Sequence, residues 1–192
     1  MTVMILGLIL FLGIHSTRLF APHWRQGMID KLGPYGWKGL YAVISIVGFV
    51  LLVWGYGQAR MTMSWLWVPP VWTKHLAALL TIPAFILLAA AYVPGTKIKA
   101  KLGHPMVLAT KTWAFAHLLS NGSWADIILF GSFLAWSVPL YVISRRRDRL
   151  AGVSYPAKGI ARDGIAVVVG LVAWAAFAFY LHALLIGVRP FG

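Results

Sequence analysis

A chain of 192 residues with 60% hydrophobic and only 11% charged residues, at a mean hydropathy of +0.80, has membrane composition and leaves no length for a soluble domain. Its 17 Lys and Arg stand against four Asp and no Glu, a formal charge of +13. These cations fall between apolar runs rather than on one folded basic face, which argues against nucleic acid as partner, and the absence of cysteine excludes disulfides, cysteine-held iron–sulfur clusters, thiolate heme ligation and a cysteine nucleophile.

Runs of about 20 apolar residues, enough to cross a ~30 Å hydrocarbon core as helix, predict an all-α, polytopic transmembrane helix bundle of about six spans. Together they form a single integral membrane domain over residues 1–192. The first span, 2–21, lacks a basic n-region and an A-x-A-like site, so it reads as a retained helix rather than a signal peptide. His15, Ser16, Thr17 and Arg18 interrupt it; it either ends near residue 14 or continues with those groups facing protein. The second span covers 37–57, and Trp65, Trp67 and Trp72 then form an aromatic belt around an outer loop. The third, 72–93, contains Pro83, expected to kink it and free the Leu79 carbonyl. The fourth, 104–120, has Pro105 in its first turn, which leaves His104 at the helix entrance. Asn121-Gly122-Ser123 matches a glycosylation sequon, discounted because it lies in a tight turn against the bilayer. Ser123 with Asp126 reads as a capping box opening the fifth span, 124–144, and the sixth is 164–187.

The cations set the expected orientation. Arg18, Arg25, Lys31 and Lys38 follow the first span; Lys97, Lys99, Lys101 and Lys111 follow the third; Arg145, Arg146, Arg147, Arg149, Lys158 and Arg162 follow the fifth. Only Arg60, Lys74 and Arg189 remain for the other side, so the positive-inside rule places both termini outside a bacterial inner membrane and the basic loops in the cytoplasm.

An ionisable group inside a membrane is a functional hypothesis by default, which makes the six histidines the informative set. His23 reads as solvated at headgroup level, and His75 and His182 as interfacial anchors. His104 stands between a helix-entry role and a functional one. His117 lies about 20 Å into the fourth span, on a stripe with Met106, Thr110, Trp113 and Asn121. Thirteen residues at 100° put it about 140° around the axis from His104, so those two do not serve one site. His15 is the better partner: if the first span continues to residue 21, the two lie within about 10 Å of one depth. A heme needs only one or two imidazoles and an apolar slot, with Lys111 or Arg18 available to pair with its propionates. The residues alone leave heme ligation, another metal and plain structural histidines all open. Zinc is disfavoured, since its catalytic sites want three protein ligands with carboxylates behind them.

The stretch LGHPMVLATKTWAFAHLLSNGSWADIILFGS, with GIHS near the N-terminus, resembles the NnrU-type membrane protein family. Its specific part is the His-Pro-Met, Trp-x-x-x-His and Asn-Gly sequence followed by Phe-Gly. The resemblance implies association with nitrite and nitric oxide metabolism in denitrification, and kinship with zeta-carotene isomerase, in which heme b held by membrane histidines serves cis-to-trans isomerisation. By motif the isomerase histidines fall on His15 and His117, while the cysteine of its Trp-Cys-x-x-His segment falls on Ala114, so a histidine-to-cysteine ligand switch is impossible here. Gly103 stands where relatives often have Arg before His-Pro.

The expectation is therefore a heme b-binding membrane protein tied to nitrogen oxides, as sensor, redox relay or accessory factor. His15 and His117 would ligate iron, with Trp113, Lys111 and Arg18 around the cofactor. Its partners would be membrane lipid and either nitric oxide or an apolar polyene. Three alternatives stand beside it: a heme-dependent cis–trans isomerase of a carotenoid or isoprenoid, an isoprenylcysteine-type methyltransferase, whose bundles also carry His-Pro near a cytoplasmic helix start, and a small transporter or structural partner. Whether the chain is an enzyme is left open.

Overall fold

Long apolar stretches with few glycine or proline breaks satisfy their backbone groups internally only as helix, and the chain is helical almost throughout. A computed structural model describes residues 1–62 and 64–191. Its helices are α1 (Thr2–Phe20), α2 (Pro22–Met61), α3 (Val71–Tyr92), α4 (Lys97–Leu102), α5 (Pro105–Ser120), α6 (Trp124–Leu150) and α7 (Ile160–Ala176), followed by a π-helical turn (Phe177–Leu181) and α8 (His182–Ile186). No strand occurs among the described residues.

Among the described residues, five helical stretches are long and apolar enough to cross a membrane: α1, α2, α3, α6 and the continuous run Ile160–Ile186. The expected fourth span is the exception. α5 has 16 residues, about 24 Å of helix against a hydrocarbon core of ~30 Å. α1 does not end near residue 14; it continues to Phe20 because its polar groups bond to its own backbone. His15 Nδ1, Ser16 Oγ and Thr17 Oγ1 donate to the carbonyls of Phe11, Leu12 and Ile14 at 2.6, 2.6 and 2.8 Å.

Two expected loops are partly helical. Residues 22–32 continue α2 up to a break at Gly33 (φ 73°, ψ 166°) just before Pro34, a backbone conformation that glycine alone adopts readily. The basic segment after α3 forms α4, whose first N–H groups at Lys97 and Ile98 donate to the Asp163 carboxylate at 3.2 and 3.0 Å. α3 runs on through Pro83.

The contacts define two units. The first comprises Met1–Leu66 and Ser123–Ser132. Within it α1 lies antiparallel on the later part of α2, and glycines bring the backbones together: Met4 faces Gly55, Gly7 faces Leu52 and Phe11 faces Gly48, the close approach that small residues allow between membrane helices. The start of α6 joins this unit through the reciprocal cap anticipated from sequence. Asp126 N–H donates to Ser123 Oγ at 3.2 Å, Ser123 N–H to Asp126 Oδ2 at 3.1 Å, and Tyr56 Oη donates to Asp126 Oδ1 at 2.6 Å. The second unit, Trp67–Gly122 and Phe133–Gly192, is built on α3, which packs against α5 and α7. Gly170 of α7 abuts the Ile86 backbone, and Trp174 Nε1 donates to Thr81 Oγ1 at 3.0 Å.

Candidate functional site

His15 and His117 occupy the same local setting in their separate helices. Each has an aromatic residue four positions earlier, one helical turn back, where side chains and carbonyl stack along one face. His15 Nδ1 lies 2.6 Å from the Phe11 carbonyl oxygen and its ring centroid 4.3 Å from that of Phe11. His117 Nδ1 lies 2.9 Å from the Trp113 carbonyl oxygen, with ring centroids 5.2 Å apart. A carbonyl only accepts, so Nδ1 carries the hydrogen in both; in the neutral ring the lone pair then sits on Nε2. That tautomer, anchored through its other nitrogen, is the form in which histidine ligates a metal.

Further contacts fix the rings. The Tyr41 ring stands 5.2 Å from His15. Trp113 packs edge-on against Phe133 at 5.5 Å, and Asn121 Nδ2 donates to the His117 carbonyl at 2.9 Å, closing the end of α5. Ala114 is wholly buried, and Lys111 is half-buried in the second turn of α5.

Arg18 is exposed near the end of α1 and lines a hollow of about 380 Å³ in the first unit together with His15. Sequence reasoning brought only these two forward; the structure adds Arg25, Trp37, Lys38 and Tyr41 to the same walls. The break at Gly33 folds residues 22–32 back to that point, and nothing in the hydropathy pattern marks it.

His104 has a different chemistry. Its Nε2–H donates to Asp148 Oδ2 at 2.8 Å, and Tyr155 Oη donates to the same oxygen at 3.0 Å. Burial alone would raise the Asp148 carboxyl, but the Tyr155 hydrogen bond, the charge and hydrogen bond of His104 and nearby Arg147 outweigh it and hold the group below the usual carboxylate range. Burial, followed by the bond to Asp148 and that carboxylate's charge, pushes the Tyr155 hydroxyl up. Sequence reasoning missed this pair; the available signal was one acid, Asp148, inside the basic run Arg145–Arg149. His23 and His75 are exposed, and His182 bonds through Nδ1 to the Val188 carbonyl at 2.7 Å. No three histidine or carboxylate side chains gather as a metal site among the described residues.

Long apolar helices with imidazoles anchored inside them define the class: a multi-pass α-helical membrane protein. The chain belongs to the NnrU family, described as NnrU protein, whose match covers residues 3–190, nearly the whole length. No curated protein and no solved structure matches it.

Proposed function

We propose that this NnrU-family membrane protein binds heme b through His15 and His117 and serves nitrite and nitric oxide metabolism as a sensor or redox relay. The observation that carries the reading is the shared anchoring: both rings donate Nδ1–H to a carbonyl one turn back, the second bond that iron- and zinc-ligating histidines characteristically make through the nitrogen not bound to metal. Each histidine has its own aromatic neighbours, Phe11 and Tyr41 beside His15 and Trp113 beside His117, which would pack against a porphyrin, and Arg18 and Lys111 are cations suited to propionates. Bound heme would supply a redox-active iron, whose potential and ligand access are set by its axial groups and surroundings. The isomerase reading is disfavoured by the buried Ala114, since no thiolate is available for ligand exchange.

In this reading the protein lies in a bacterial inner membrane with its basic segments in the cytoplasm. α5 then makes a short sixth crossing. Its entrance is tied to the basic end of α6, where Tyr141 Oη donates to the Leu102 carbonyl at 3.0 Å and His104 bonds Asp148. Its other end lies one short turn, 121–123, from the start of that same helix.

The test is an absorbance spectrum of detergent-purified protein with and without dithionite. A Soret band that sharpens on reduction is expected, lost in His15→Ala and in His117→Ala and kept in His182→Ala. Retention in both of the first two variants refutes the ligand assignment.

A further inference from the structure

The hollow beside the end of α1 carries an inference that does not depend on heme. α1 is 19 residues long, about 28 Å of helix, so its last turn comes out at headgroup depth if the helix crosses the bilayer. Arg18, Arg25 and Lys38 line the hollow, and no carboxylate does. Asp30, the one acid in this part of α2, accepts instead from Gln26 at 2.9 Å. None of the three cations has an ion pair among the described residues.

Cations that share a space and lack acids repel one another, and an anion between them converts that repulsion into attraction. One of them is held ready for it: the Arg25 guanidinium carbon lies 6.0 Å from the Trp37 ring centroid, and Trp37, only 4% exposed, is braced edge-on by Trp24 at 5.8 Å. A cation fixed on a buried indole loses little freedom when it meets an oxyanion. His15 and Tyr41 add polar ring atoms to the walls. Because both helices are membrane spans by length and composition, a ligand reaching this point carries its charge on an apolar body.

We propose that this hollow is an oxyanion site for the head of a membrane-dissolved amphiphile, foremost the phosphodiester of an anionic phospholipid. Porphyrin carboxylates share that chemistry, and the experiment separates the two sources.

Protein in nanodiscs of phosphatidylcholine with stepped phosphatidylglycerol is released and its retained lipid counted by native mass spectrometry. The wild type is expected to retain phosphatidylglycerol preferentially. Arg25→Gln with Lys38→Gln should reduce that preference by about fivefold for each cation removed, whereas Lys31→Gln with Lys101→Gln, the same charge loss at exposed positions outside the hollow, leaves it unchanged. Arg25→Lys with Lys38→Arg retains it, which guards against a variant that merely misfolds. If lipids are not discriminated but hemin binds more tightly than its dimethyl ester, and only the Arg25–Lys38 neutralisation removes that difference, the oxyanion site stands with porphyrin as its source. Equal loss in both neutralised pairs, or no preference for either anionic probe, overturns the proposal.

Discussion

Adding one methyl group at Gly55 tests the packing that orients His15. A Cβ there would lie 2.7 Å from Met4 Cα and 2.8 Å from the Val3 carbonyl carbon; at Gly7 it would lie 2.7 Å from Leu52 Cα, and at Gly48 2.7 Å from Phe11 N. These are backbone atoms of the facing helix, so no rotamer change relieves the clash. Carbon atoms pack at about 3.5–4.0 Å, which requires the helices to separate by about 1 Å and weakens dispersion contacts along the whole α1–α2 seam. Overpacking of this kind costs about 1–3 kcal/mol. Gly13 and Gly57 lie on the same two helices, where an added methyl would meet no heavy atom within 4 Å, and alanine there should be neutral or stabilising by up to about 1 kcal/mol through helix propensity. Thermal unfolding in detergent, followed by circular dichroism, is expected to lower the midpoint for Gly7→Ala, Gly48→Ala and Gly55→Ala and leave Gly13→Ala and Gly57→Ala at or above wild type. If Gly55→Ala melts with Gly13→Ala, close backbone packing does not hold these helices.

Asp126→Asn should lower stability by about 1–3 kcal/mol, because a buried carboxylate that receives Ser123 and Tyr56 becomes a poorer acceptor; Tyr56→Phe should cost only about 0.5–1.5 kcal/mol, and equal melting of the two variants and wild type would contradict the network. Asp148 sits below the usual carboxylate range in the folded protein, so its contribution is present above the unfolded-state value and fades as pH falls through the lowered one. The melting midpoint should therefore drop in acid below the ordinary aspartate range, and Asp148→Asn should flatten that part of the profile; an unchanged acid limb would remove the role given to this pairing.

The long spans were legible because hydropathy acts on every residue of a helix that faces lipid. The cap at Ser123 and Asp126 was legible because its partners are three residues apart. Residues 22–32 were not, since a helix carrying His23, Arg25, Gln26, Asp30 and Lys31 has the composition of a loop, and only the Gly33 break reveals where it turns. The bounds of α5 were legible from Pro105 and Asn121, whereas His104 with Asp148 was hidden by their separation of 44 positions in the chain. For His15 and His117 the chain did display the deciding pattern, an aromatic residue one turn before each imidazole, but the direction of the Nδ1–H bond emerges only with the helix built.

The four carboxylates narrow the chemistry further. Asp126 is spent on a helix cap and Tyr56, Asp148 on His104 and Tyr155, Asp163 on the first amides of α4, and Asp30 on Gln26. A methyltransferase or a proton relay calls for acids poised at a cofactor or along a path, and each acid here has a local partner instead. The ionisable groups set within the helical spans are then chiefly imidazoles, two of them anchored through Nδ1 by their own backbone. Imidazoles anchored in an aromatic setting suit the ligation of iron, and the engagement of all four carboxylates elsewhere is the physical ground for preferring the heme reading over the methyltransferase and proton-relay readings.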